Sequence, residues 1–377
     1  MQRVRVHGVT AAGVGLVAMA LSLAACSSSS SSGGTSSSSS PSSGSGSSAK
    51  LSGTLSGSGS TFQLTFQQTA IQSLKSIQPG LTVNYGGGGS GKGVTDLASG
   101  TVNYAGSDSP ISAAQQPLFN GKTVLYFPVV IGPISMAYNL PGLSKPLQLS
   151  APVIAQIFEG KIASWNNSAI AADNPGVTLP STAITLAVRS DSSGTTNNFS
   201  KFLSEGAGSA WTLGTGSIIK WPSTAHAGSG NGGVAQIIKS TPGTIGYVDY
   251  ATAKASGLTS ASVKNKDGSY VAPSPASASA AASQATVKPD LTFSAIWAAG
   301  ASSYPITYQS WDLVYEAQSS SQTAANLKGY IGYLLGDGQK LLAPLGYAPL
   351  PANIDQMAVA QLSKIGSSAA APSPSAS

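Results

Sequence analysis

From Leu51 to about Ile365, short apolar runs alternate with amphipathic stretches. Leu81 to Tyr85, Thr123 to Val130, Ile184 to Val188 and Thr244 to Val248 are rich in β-branched and aromatic residues, which predicts strands. Phe62, Phe66, Ala70 and Leu74 recur every four residues and predict one face of a helix. Phe199, Phe202 and Leu203 predict another helix, beginning after Gly194. Strands alternating with helices argue for α/β layers. The Ala/Ser run after Pro275 has the composition of a linker. Ala is the best helix former, however, and Pro suits a first turn, so a short helix is expected there. No internal repeat is evident.

The two ends follow different rules. Arg3 and Arg5 precede an apolar run from Val9 to Leu23, and Leu23-Ala24-Ala25 leads to Cys26, so residues 1–25 read as an export signal. The run is short and interrupted by Gly, which argues against a membrane span. Cys26 is the single cysteine, so no internal disulfide can form. Its position after the signal resembles the lipobox of bacterial lipoproteins. There the cysteine is diacylated and anchors the chain in the cell membrane, on its extracytoplasmic face. Residues 26–49 then form a tether, almost all Ser and Gly after the cysteine. Its mean reach is roughly 25–30 Å. Residues 366–377 are a Ser/Ala/Pro tail, expected to be disordered.

Charge narrows the partners. The net charge of +6 falls to +4 without Arg3 and Arg5, and charged residues make up only 8% of the chain. Without a dense Lys/Arg block, nucleic acid is a poor partner. His7 and His226 are the only histidines and there is one cysteine, which argues against a zinc site. Nothing in the pattern calls for a cofactor. A small anion held by a few placed groups fits better.

Three Gly/Ser/Thr-rich segments, Gly57 to Phe62, Gly86 to Lys92 and Arg189 to Thr195, each lie between a predicted strand and helix. Helix N-termini present unsatisfied N–H groups and a partial positive charge. Small residues let an oxyanion approach, and hydroxyls add donors. Arg189 adds a cation able to bind two oxygens at once. Taken singly, each segment could be an ordinary cap or turn. None completes a P-loop, because Gly91-Lys92-Gly93 lacks the closing hydroxyl. A hydrolase built on Ser193 and His226 is disfavoured: His226 lies in a loop-like stretch and no nucleophile elbow surrounds Ser193. A carboxylate pair of Asp108 and Asp191 for glycoside chemistry has no better support.

In order along the chain, these segments resemble the phosphate-binding proteins of the Pst phosphate-specific ABC importers. The resemblance is carried by Gly-Ser-Gly-Ser-Thr-Phe at 57–62, Tyr-Gly-Gly-Gly-Gly-Ser-Gly-Lys-Gly-Val at 85–94 and Ala-Gly-Ser-Asp-Ser-Pro-Ile at 105–111. Further members are Ile-Phe-Glu-Gly-Lys-Ile-Ala-Ser-Trp at 157–165, Val-Arg-Ser-Asp-Ser-Ser-Gly-Thr-Thr at 188–196, Gly-Thr-Ile-Gly-Tyr-Val at 243–248 and Tyr-Pro-Ile-Thr at 304–307. It implies a two-domain type 2 periplasmic-binding-protein fold: 50–128 with 303–365 as domain I and 129–302 as domain II. The crossings are expected near Phe127 to Ile131 and Ala299 to Pro305.

The resemblance also implies a receptor rather than an enzyme, one that captures inorganic phosphate and passes it to a membrane permease. Thr61 and Phe62 would give backbone N–H donors, with the Thr61 hydroxyl added. Ser90 would give backbone and hydroxyl. Asp108 would accept the proton of bound phosphate, Arg189 would be the clamp, and Ser193, Gly194 and Thr195 would form a helix-start cradle. Asp191 would orient Arg189 or cap the turn. Ser192 departs from a frequent family Gly, with only a loop adjustment expected. Gly228 to Val234 matches a family segment and is read as structural. Another tetrahedral oxyanion such as sulfate, a phosphate-holding hydrolase, and a surface sensor or adhesin remain alternatives.

Overall fold

The structure, a computed structural model, describes residues 50–367. The expectations for the signal, for Cys26, for the tether and for most of the tail lie outside them. In chain order the first elements are β1 (Gly53–Gly59), α1 (Leu64–Ile77), β2 (Leu81–Gly86), α2 (Ser90–Ala98), β3 (Tyr104–Ser107) and β4 (Val124–Asn139). Then come β5 (Gln148–Leu149), α3 (Ala151–Phe158), α4 (Ser168–Asp173), β6 (Thr185–Arg189), α5 (Gly194–Gly206), β7 (His226–Gly228), α6 (Gly230–Ser240) and β8 (Thr244–Asp249). The remainder used below are α7 (Tyr250–Ala255), α8 (Pro275–Ala282), β9 (Thr307–Tyr315) and α9 (Ser321–Leu335).

The main strands hydrogen-bond in the order β2-β1-β3-β9-β4-β8-β6-β7. β1 runs parallel to β2 and β3, and β6 runs parallel to β7 and β8. The two long antiparallel strands β9 and β4 lie between these groups. β4 is buried along nearly its whole length, as an apolar run flanked on both sides by strands should be. It pairs with β9 up to Pro133 and with β8 from Ile134 onward.

The expected strand at Thr123 to Val130 stops where Gly132 and Pro133 interrupt the pattern. The observed strand continues to Asn139 because Pro133 sits where the partner changes. Pro128 cannot donate to a ladder, and opposite it β9 shifts register between Ser310 and Trp311.

Helix α1 starts at Leu64, so Phe62 lies before the helix rather than on its face. Its ring instead packs 4.1 Å from Tyr308 and 5.3 Å from Tyr347. Phe66, Ala70 and Leu74 do form the buried face, joined by Gln67. Burying Phe66 stabilises the layer by about 1.5–3 kcal/mol. The Ala/Ser run is helical over Pro275–Ala282, opened by a capping box at Ser274 and Ser277. His226 lies in β7, an edge strand paired with β6, not in a loop. His226 to Gly228 supplies too few residues for a periodic signal.

Candidate functional site

The parallel strands β1, β3, β6 and β8 end at Gly59, Ser107, Arg189 and Asp249. Helices α2, α5 and α6 begin with the small residues Ser90, Gly194 and Gly230. The carboxyl ends of strands in open α/β sheets are where ligands bind. Contacts join these ends to one another. The Gly91 N–H donates to the Ser192 carbonyl at 3.0 Å, and Asn198 Nδ2 donates to the Asp108 carbonyl at 2.7 Å.

Asp108 is buried just beyond β3. Its Oδ1 accepts from the Ser60 hydroxyl and, at 2.6 Å, from the Ser310 hydroxyl. Among the described residues its Oδ2 has only the Ser90 hydroxyl, at 3.4 Å. Burial pushes the carboxyl up to about 6, even though the bonds from Ser310 and Ser60 and the charge of Arg189 pull it down. A Cβ on Gly194 would lie 2.3 Å from Ser90 Oγ and 2.7 Å from Asp108 Oδ2. The first turn of α5 therefore faces the open side of Asp108, and only glycine permits that approach.

Arg189 is also buried. Its Nε donates to Asp191 Oδ1 at 2.8 Å and an Nη2–H donates to Asp191 Oδ2. Nη1 donates to the Thr195 hydroxyl at 3.3 Å. A guanidinium has five N–H groups, so a hydrogen on each terminal nitrogen is left over. That pair suits two oxygens of one anion. Burial opposes the charge of Asp191, but the bonds from Arg189 and the Gly230 N–H hold its carboxyl below the usual range. Gly89 packs against this pair with φ +91°, and a Cβ there would lie 2.2 Å from Asp191 Oδ2.

Three hydroxyls are oriented by what they accept. Thr61 Oγ1 accepts from Asn231 N and Nδ2, both at 3.2 Å. Thr195 Oγ1 accepts from Arg189 and, at 3.3 Å, from Asn231 Nδ2. Ser90 Oγ accepts from the Asp108 N–H at 3.1 Å. Thr61 keeps its own hydrogen for donation, whereas that of Ser90 is turned toward Asp108 Oδ2.

Ser193 behaves differently. It is the N-cap of α5, and its hydroxyl accepts from the Thr196 N–H at 3.0 Å. The Phe62 N–H donates to Ser60 Oγ at 3.1 Å, and the Phe62 carbonyl accepts from the Tyr347 hydroxyl at 2.7 Å. No described hydrogen bond joins Ser193 to the exposed His226, and none joins Asp108 to Asp191.

All eight expected ligand positions thus lie at these strand ends and helix starts. Ser60, Ser310, Asn198 and Asn231 join them without having been singled out. Asn231 falls in the Gly228 to Val234 segment read as structural, yet it orients Thr61 and Thr195. Ser60 stood inside the first Gly/Ser motif and could have been found there. Ser310 is distant in sequence, between Gln309 and Trp311, with no local signal. Asp249 is also near: burial raises its carboxyl to about 7, with Thr252 opposing, and its Oδ2 has no described partner.

Comparison with known proteins identifies the family. Residues 44–337 match the family described as a PBP superfamily domain. Phosphate-binding protein PstS 3 of Mycobacterium leprae is 36% identical over 310 residues, 79% of this chain and 83% of that protein. Phosphate-binding protein PstS of Pasteurella multocida is 35% identical over 313 residues, 82% of this chain and 89% of that one. The solved structure of a high affinity periplasmic phosphate-binding protein, PfluDING, bound with phosphate, superposes with TM-score 0.69 at 21% identity. It covers 82% of this chain and 94% of that one. The fold is therefore the type 2 periplasmic-binding-protein α/β fold of that superfamily. Within it, the chain belongs to the family of the phosphate-binding proteins PstS.

Proposed function

We propose that this protein captures inorganic phosphate outside the cytoplasm and delivers it to the permease of an ABC importer, as a receptor and not an enzyme. The observation that carries this is the pairing of a buried acceptor with a buried cation around one helix start. Asp108 Oδ2 faces Gly194, while Arg189 keeps two unpaired N–H groups beside Thr195. A ligand satisfying both must be an anion with oxygens for Arg189 and the α5 amides. It must also carry a proton for Asp108. Phosphate meets both conditions near neutral pH, and sulfate fails the second.

In this reading Thr61, Phe62, Ser90, Ser193, Gly194 and Thr195 complete the cage, and Ser193 acts through its backbone because its hydroxyl caps α5. Domain I (50–128 with 303–365) and domain II (129–302) close on the ligand, with β4 and Ala299 to Pro305 as the crossings. The bonds Gly91 to Ser192, Asn198 to Asp108 and Asn231 to Thr61 are then closure contacts. Diacylated Cys26 would tether the body at the membrane, so that it can dock on its permease. Calorimetric titration with phosphate, arsenate and sulfate tests the reading. Phosphate and arsenate should bind and sulfate should not, whereas equal affinity for sulfate would remove Asp108 from its role.

A further inference from the structure

We infer that Ser310, held in place by Gln63, is a specificity-determining positioning residue: it fixes Asp108 Oδ1 and leaves Oδ2 as the one acceptor for the ligand's proton. This rests on the function proposed above. A buried network carries it. Gln63 Nε2 donates to Ser310 Oγ at 3.1 Å and to the Trp311 carbonyl at 3.3 Å. A carbonyl can only accept, so the amide orientation of Gln63 is fixed. Gln63 Oε1 in turn accepts from Gln67 Nε2 at 2.8 Å. Gln67 Nε2 also donates to both oxygens of Asp312, at 3.1 and 3.0 Å, and its Oε1 accepts from the Tyr104 and Tyr330 hydroxyls.

The direction of donation is uniform from Gln67 to Asp108. Because Ser310 Oγ already accepts from Gln63, its single hydrogen is directed at Asp108 Oδ1, 2.6 Å away, against 3.3 Å to the Ser107 carbonyl. Ser60 works the same way: its hydroxyl accepts from the Phe62 N–H and donates to the same Oδ1. Two donors on Oδ1 make it a poor place for a proton. A ligand proton then meets Oδ2, the oxygen facing Gly194.

The register shift between Ser310 and Trp311 in β9 lies beside Asp108, and bulges re-aim side chains next to binding sites. Ser310, Gln63, Gln67 and Asp312 are all buried, so these bonds are made away from bulk water. The titratable groups facing Asp108 are Arg189, Asp249, Tyr85, Tyr308 and Tyr347. Arg189, the one cation among them, is already paired with Asp191. The hydroxyls of Ser310 and Ser60 therefore do much of the work of keeping Asp108 an acceptor.

The test compares the wild type with Ser310→Ala, and with Ser310→Cys, which keeps a weak donor of similar size. Carboxyl-carbon NMR of the ligand-free protein reads the titration of Asp108 directly. Removing a bond to the ionised form should raise its midpoint by about one to two pH units in Ser310→Ala, with Ser310→Cys between. Phosphate and sulfate titrations at pH 7 should show the phosphate-to-sulfate affinity ratio falling about tenfold or more in Ser310→Ala. An unchanged Asp108 midpoint overturns the inference. So does an equal loss of affinity for both anions, which is what a merely structural serine would give. If the wild type bound no phosphate, the proposed function would fail, while the carboxyl titration would still decide whether Ser310 sets the state of Asp108.

Discussion

Substituting Gly194 by alanine isolates closure from chemistry. The substitution removes no donor and no charge. Gly194 is the first residue of α5 and its φ is not positive, so alanine suits the backbone. In a helix, alanine is favoured over glycine by roughly 0.5–1 kcal/mol. The conflict is with the other side of the site. The new Cβ would lie 2.3 Å from Ser90 Oγ, 2.7 Å from Asp108 Cβ and 2.7 Å from Asp108 Oδ2. Ordinary contact begins near 3.4 Å, so α2 and the β3 end must retreat from α5 by about an ångström. Overpacking of this kind costs about 1–3 kcal/mol. Phosphate affinity should therefore fall about five- to 150-fold. If the two faces separate in the ligand-free protein, the clash is relieved and the ligand-free melting temperature should be unchanged or slightly higher. Calorimetry and thermal melting of wild type and Gly194→Ala supply both numbers. Affinity within about threefold of wild type would show that α5 does not close against Ser90 and Asp108.

Arg189→Ala should weaken phosphate binding by about 2–5 kcal/mol, and Arg189→Lys should restore only part, because an ammonium cannot present two parallel donors; titration calorimetry on both variants checks this. Asp108→Asn should keep phosphate binding with a modest change and strengthen sulfate binding, read as the ratio of the two affinities. Burial raises the carboxyls of Asp108 to about 6 and of Asp249 and Asp312 to about 7. Between their unfolded values and these, the folded state holds more protons than the unfolded, so stability should fall as pH rises from about 4 to 7. Paired Asp96, Glu159 and Asp191, with carboxyls held low, act in the opposite sense, but mainly below about pH 4. Ligand-free melting temperatures at pH 5 and pH 8 decide it, and a higher value at pH 8 would count against the burial argument. If the proposed anchor holds, Cys26→Ser should move the protein from the membrane fraction into the medium, because Cys26 is the single cysteine of the sequence; immunoblotting of the two fractions reads the outcome.

The layers and the Gly/Ser/Thr loops at the strand ends are legible because they are written locally. Strands β2, β6 and β8 announce themselves by β-branched runs, and the loop starts of α2 and α5 by small residues before an apolar period. The continuation of β4 through Gly132 and Pro133 was not, since its pairing depends on strands β9 and β8, which lie more than a hundred residues away. Phe62 misled because its four-residue spacing from Phe66 is accidental: its ring is drawn under Tyr308 and Tyr347. Arg189, Asp108 and Thr61 could be picked by motif. Ser310, Asn231 and Gln63 could not, because each acts by orienting another group. Such a role is visible only once the chain brings distant residues within 3.3 Å.

A protonated tetrahedral anion is the ligand proposed for the site. Equilibrium dialysis of the protein with radiolabelled phosphate at pH 7, competed by excess arsenate or excess sulfate, tests it most directly. Saturable binding of one phosphate per chain, displaced by arsenate and untouched by sulfate, is the predicted result. Displacement by sulfate at the same concentration as arsenate, or no saturable phosphate binding, would contradict the account.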